Sequence, residues 1–207
     1  MTIRSLVSLN AMFALLLAAT SAPALAQGNA QAGEAKAAAC AACHGATGND
    51  SLLPNVPKIG GQGERYLLKQ LVEIKEGIRP VPLMEPVVAP LSEQDLADLA
   101  AFYAAQEMPR GAVDPAKRAL GEQLYRAGNA AIGVAACSAC HAPNGKGNEA
   151  AGYPALSGQD VAYAELQLRA FRASERNNDE AEVMRAIAAR LNDAEIAALA
   201  SYISGLR

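Results

Sequence analysis

Leu67, Leu71, Ile74 and Ile78 recur at three- and four-residue steps, the spacing that lays one apolar stripe along a helix. Val161, Ala164, Leu168 and Phe171 write the same stripe again later in the chain. A second pair follows the same logic: Leu96, Leu99, Ala100 and Tyr103, then Ile196, Leu199, Ala200 and Ile203. Each member of this pair has a start signal. Ser92 with Asp95, and Asn192 with Glu195, place a capping oxygen at the N-cap and an acid three residues on. The Ala-rich segments "AGEAKAAAC" and "AKRALGEQLYRAG" predict a further helix in each set, with Gly33 and Gly121 allowing another helix to approach closely. No stretch alternates with a two-residue period for long enough to predict a sheet. The expectation is an all-α protein in which three helices and their loops occur twice.

The duplication extends beyond the stripes. At an offset of 97, Pro57, Gly61, Gln62 and Tyr66 fall on Pro154, Gly158, Gln159 and Tyr163. Past them the offset becomes 100, with Met84 on Met184, Leu91 on Leu191, Leu99 on Leu199 and Phe102 on Tyr202, so the second copy carries a three-residue insertion. The segment "MPRGAVDP", with two prolines and a glycine between periodic stretches, reads as a linker. The expected organisation is therefore one domain over 27–107, a linker over 108–115 and a second domain over 116–207.

Residues 1–26 read differently. One cation, Arg4, precedes an apolar run from Ala11 to Ala19 and then "APALAQ", the pattern of an export signal cleaved after Ala26. The run is shorter than the roughly 20 residues that cross a bilayer. An exported protein is expected, with an uncleaved segment acting as a loose anchor as the alternative. Residues 27–108 hold six Lys/Arg against ten Asp/Glu, whereas residues 109–207 hold eleven of each. That asymmetry makes the molecule electrically dipolar. No basic patch or high pI points to nucleic acid.

All four cysteines and both histidines of the chain lie in "CAACH" and "CSACH", 97 residues apart. A Cys-x-x-Cys-His run serves a redox dithiol, part of a zinc site, or covalent attachment of a c-type haem. A redox dithiol wants a βαβ context that the Ala-rich flanks do not supply. A closed zinc site needs one more ligand than each half offers. Haem attachment uses all three residues, twice: Cys40 and Cys43 with His44, then Cys137 and Cys140 with His141. Each half has only about 90 residues, so a buried macrocycle would also supply much of its core.

His44 and His141 would each give one axial nitrogen. With no third histidine or fifth cysteine, the opposite position falls to methionine, to an amine, or stays open. Methionine is a usual axial partner in cytochromes c. Met84 and Met184 each lie eight residues before a helix N-cap, outside the helical stripes, whereas Met108 sits in the linker and reads as core filler. Pro57 and Pro154 each lie 13 residues after the histidine, and their carbonyls are the expected acceptors for its free N–H.

These segments together resemble the c4 family of dihaem cytochromes c. "CAACHGATGN", "GQGERYLLKQL", "LSEQDLADLAAFYAAQ", "CSACHAPNGKGN", "YPALSGQ" and "LNDAEIAALASYISGL" are similar to that family's segments, in the same order, over essentially the whole chain after residue 26. The resemblance implies two tandem class I cytochrome c domains, face to face across a two-fold-like axis, with two covalently bound haem c groups. It implies a periplasmic electron carrier, soluble or loosely associated with the membrane surface, that delivers electrons to a haem–copper terminal oxidase. By motif, the attachment residues are Cys40, Cys43, Cys137 and Cys140, and the axial ligands are His44, Met84, His141 and Met184. The stretch "GIRPVPLMEPVVAP" is richer in proline than the family pattern. Asn177 and Asn178 are expected contacts of a haem propionate.

Nothing in the sequence demands a catalytic acid or base, so outer-sphere electron transfer is the expected function rather than enzymatic turnover. A cytochrome subunit docked in a larger dehydrogenase or oxidase complex is one alternative. A dihaem peroxidase or sulfur-compound dehydrogenase is another; a peroxidase ordinarily wants a distal acid–base group, and both histidines are already committed.

Overall fold

The computed structural model describes residues 27–51 and 53–207; the export signal read from residues 1–26 lies outside them. In chain order the helices are α1 (Ala30–Glu34), α2 (Ala38–His44), α3 (Glu64–Lys75), α4 (Glu85–Val88), α5 (Glu93–Ala104), α6 (Pro115–Ala127), α7 (Ser138–His141), α8 (Val161–Arg172), α9 (Val183–Ala188) and α10 (Asp193–Ser204). Among the described residues β pairing is limited to two isolated bridges, Asn129 with Val134 and Asn148 with Tyr153. The all-α expectation holds, with two more short helices per half than the three the sequence predicts.

In each half one helix is the hub. α5 packs against α1 and α3, and α10 packs against α6 and α8. Both hubs open with the anticipated capping box: Ser92 accepts from the Asp95 amide, Asn192 accepts from the Glu195 amide, and each acid returns a bond to its cap. Leu96, Leu99 and Ala100 are buried on α5, and Ile196, Leu199 and Ala200 on α10. The two glycines read as close-approach sites are such sites. A Cβ on Gly33 would lie 2.8 Å from Phe102 Cβ, and one on Gly121 2.6 Å from Tyr202 Cβ, so α1 and α6 meet the hubs backbone to backbone.

The halves differ in two places. Cys40 follows Gly33 by seven positions, but Cys137 follows Gly121 by sixteen. The surplus forms the turn around Ala130–Ile132 that is closed by the Asn129–Val134 bridge. The three-residue insertion also has a location. The 97-residue offset persists through Arg79 and Arg176, and Glu180–Glu182 then form a short 3-10 turn in which Ala181 and Glu182 adopt positive φ.

The repeated glutamines hold the halves together. Gln159 accepts from the Lys58 amide and donates to the Lys58 carbonyl, both at 2.9 Å. Gln62 accepts from the Ala155 amide at 2.6 Å and donates to its carbonyl at 2.9 Å. Lys58 and Ala155 are themselves 97 apart, so the two clamps are related by the same internal symmetry as the sequence.

Candidate haem-binding site

Cys40, Cys43 and His44 all lie on α2, with the thiols one turn apart on the same face. Gly45 ends the helix at φ +76° and turns the chain back. In the second half Cys137 caps α7, His141 ends it, and Ala142 takes the place of Gly45 at φ 65° and ψ 154°. That region belongs essentially to glycine and costs an alanine about 1–3 kcal/mol. Tyr125, fully buried beside it, donates its hydroxyl to the Ala142 carbonyl at 2.6 Å and helps hold the turn.

Both imidazoles are buried, and each Nδ1 lies 2.9 Å from a proline carbonyl, Pro57 for His44 and Pro154 for His141. A carbonyl only accepts, so Nδ1 carries the proton and donates, leaving Nε2 as the lone-pair nitrogen. Burial lowers both imidazole pKa values, partly opposed by the carbonyl bond. Among the described residues no hydrogen bond uses either Nε2. A neutral, oriented imidazole with a free Nε2 beside two thiols is the donor set of a c-type haem, and it occurs in both halves.

The thiols do not suit the competing chemistries. Burial pushes Cys40 up and Cys137 up to about 11, so these are neutral thiols and not the low-pKa thiolates of a redox pair. All four cysteines are free of disulfides. Among the described residues no three His, Cys, Asp or Glu side chains converge as a zinc site requires.

Met84 is half-buried at the N-cap of α4 and packs against the cluster of Ile74, Val88 and Leu96. Met184 is half-buried in the first turn of α9. Met108 lies elsewhere, in the linker against the backbones of Gly61 and Gly158, where it fills space between the halves.

A Cytochrome c family model matches residues 30–105 and 119–207. Cytochrome c4 of Pseudomonas aeruginosa is 52% identical over 182 residues, covering 87% of this chain and 90% of that protein. The crystal structure of reduced recombinant cytochrome c4 from Pseudomonas stutzeri matches with a TM-score of 0.84 at 49% identity, covering 87% of this chain and 100% of that one. The chain belongs to the cytochrome c4 family. A more distant relative, 35% identical over 173 residues and covering 82% of this chain and 79% of its own, is the thiosulfate dehydrogenase electron acceptor of Thiomonas intermedia.

As a cytochrome c4, the protein is a dihaem electron carrier, with Cys40/Cys43 and Cys137/Cys140 attaching two covalent haem c groups. Asn178 donates to Gln70 and Glu73 and accepts from Arg176, while Asn177 is exposed.

Proposed function

We propose that this protein is a periplasmic carrier that passes single electrons between redox proteins by outer-sphere transfer, with a haem–copper terminal oxidase as acceptor. The reading includes export by residues 1–26, domains over 27–107 and 116–207 joined by 108–115, and axial ligation by His44 with Met84 and by His141 with Met184. The observation that carries it is the repeated Nδ1–H to proline carbonyl bond, which fixes both imidazoles with Nε2 free. When bound, the haem supplies a one-electron couple. The protein's part is to hold each histidine rigid and dry, so that little moves when charge arrives. His44 and His141 are 5% and 6% exposed, and their partner carbonyls belong to the loops that also clamp the two halves. No helix of the described residues is long and apolar enough to cross a membrane, which fits a carrier that meets its partners at the membrane surface.

Met184→Ala tests the ligand set. It should remove the sulfur-to-iron absorption of one oxidised haem while leaving two covalently bound pigments; an unchanged spectrum refutes Met184 as ligand. Met108→Leu should leave both haems unaltered.

A second reading is favoured by the relative named as a thiosulfate dehydrogenase electron acceptor. Here the donor is a sulfur-compound dehydrogenase that docks the carrier in a complex. Co-purification with a stoichiometric partner chain supports it, and a monodisperse free carrier argues for the first.

A further inference from the structure

A buried tyrosine lies beside the first cysteine of each pair, but the two come from different helices. In the first half it is Tyr103 on α5, 3% exposed and clustered with Ala37, with Cys40 packed against that cluster. In the second half it is Tyr125 on α6, clustered with Ile203, with Cys137 packed against it. Counted from the paired glycines Gly33 and Gly121, Ala37 and Tyr125 hold the same position; Tyr103 and Ile203 are partners at the 100-residue offset. The aromatic ring has changed helices between the copies. Each half fills the volume beside its cysteine, and each brings its hydroxyl there from a different helix.

The two hydroxyls are not equivalent. Tyr125 gives its proton to the Ala142 carbonyl at 2.6 Å. The Tyr103 hydroxyl is buried and has no hydrogen-bond partner among the described residues. A hydroxyl taken out of water without an acceptor is costly, and a buried tyrosine ordinarily finds one. Gly48 packs so close that a Cβ there would lie 2.7 Å from Tyr103 Cδ1, so the ring cannot swing its hydroxyl out to solvent. Burial first, and then the Cys40 sulfur beside it, push the Tyr103 phenol above its ordinary value, so it keeps its proton. Burial likewise raises the Cys40 thiol, which the Tyr103 hydroxyl, acting as a donor, partly opposes. On haem attachment Cys40 passes its own hydrogen to a vinyl carbon, and its sulfur is left with lone pairs alone. A thioether sulfur only accepts.

We propose that Tyr103 is a positioning residue of the first haem alone, its hydroxyl donating to the Cys40 thioether sulfur. This rests on the haem reading above. The second haem lacks the bond, because Tyr125 spends its proton on the Ala142 carbonyl and Ile203 has none to give. A thioether is a weak acceptor, but the bond lies in a dry site, and hydrogen bonding around a haem is one of the protein's levers on its potential. The O–H dipole turns its positive end toward the haem edge and so favours the reduced form. One hydroxyl thereby makes two haems with the same attachment motif inequivalent.

The test is a redox titration of the haem-loaded full chain with and without Tyr103→Phe, joined to resonance Raman of the thioether C–S stretch in H2O and D2O. The two haems are told apart by their axial-methionine proton resonances in the reduced state, assigned with Met184→Ala. Tyr103→Phe should lower the first haem's reduction equilibrium about threefold, about 28 mV for one electron at about 59 mV per tenfold, and move the second by less than half as much. In the wild-type protein a C–S band should shift in D2O, and Tyr103→Phe should abolish that shift. Unmoved potentials in Tyr103→Phe with two haems attached, or a wild-type C–S band indifferent to D2O, would overturn the proposal. Unmoved potentials are the result expected if the hydroxyl instead bonds a trapped water shared with Asn49 Oδ1, the other buried side-chain atom without a partner among the described residues. If Tyr103→Phe fails to load haem, the D2O comparison on the wild-type protein decides alone. Absence of covalently bound pigment from the wild-type protein would instead sink the haem reading itself.

Discussion

Gly121→Ala isolates what holds α6 on its hub. A methyl group there would sit 2.6 Å from Tyr202 Cβ and press on the Ala198 carbonyl of α10, where carbon atoms normally rest about 3.5–4.0 Å apart. Relief requires the helices to separate by roughly 1 Å, because the obstructing atoms are backbone and Cβ and have no rotamer to escape into. Overpacking of this kind costs about 1–3 kcal/mol. The closest carbonyl contact puts Gly121 at the upper end, and the better helix propensity of alanine returns about 1 kcal/mol. The net expectation is a loss of about 1–2 kcal/mol. For a chain of this size that lowers Tm by roughly 2–8 °C. Thermal denaturation of the haem-loaded protein by far-ultraviolet circular dichroism measures it, with the Soret band as a check that the pigment stays bound. A Tm equal to or above wild type would refute the reasoning, since it would mean that α6 and α10 part without cost and that Gly121 is an ordinary helix interior position.

Ser174 occupies the left-handed position at φ 58° that Gly77 holds in the first half at φ 73°; Ser174→Gly should raise stability by about 0.5–1 kcal/mol, read from urea unfolding. Tyr125→Phe removes a buried hydroxyl's bond to the strained Ala142 turn, so it should cost about 1–2 kcal/mol by the same method, and no loss would show that the bond does not hold the turn. Lys36 bonds Asp95 and Asp98 on α5, and its charge and hydrogen bonds hold both carboxyls below the usual carboxylate range. A depressed carboxylate pKa gives stability that is complete above the unfolded value and is lost as pH falls through the folded one. The penalty of Lys36→Ala should therefore be largest near neutrality and shrink as pH falls below about 4; a pH-independent penalty would show that Lys36 contributes only packing.

The sequence by itself determined the local chemistry of this protein. Cys-x-x-Cys-His is contiguous, so the haem-attachment residues and the histidines are legible without a fold. The capping boxes at Ser92 and Asn192 and the close-approach glycines Gly33 and Gly121 are likewise readable, because helix periodicity and cap geometry act within a few residues. Even the Pro57 and Pro154 acceptors followed from their matching distance to each histidine. Tertiary structure decided what joins residues distant in the chain. Gln62 and Gln159 were visible as repeat markers, but their role as reciprocal clamps exists only once Lys58 and Ala155 are brought opposite them. Arg79 and Arg176 lie outside every motif, and an exposed arginine in a loop looks the same in sequence as a buried one. Only packing brings Gln70, Glu73 and Arg176 against the side chain of Asn178. Whether a polar group is free or already partnered depends on burial across the interface, and burial is a property of the packed halves, not of the order of residues.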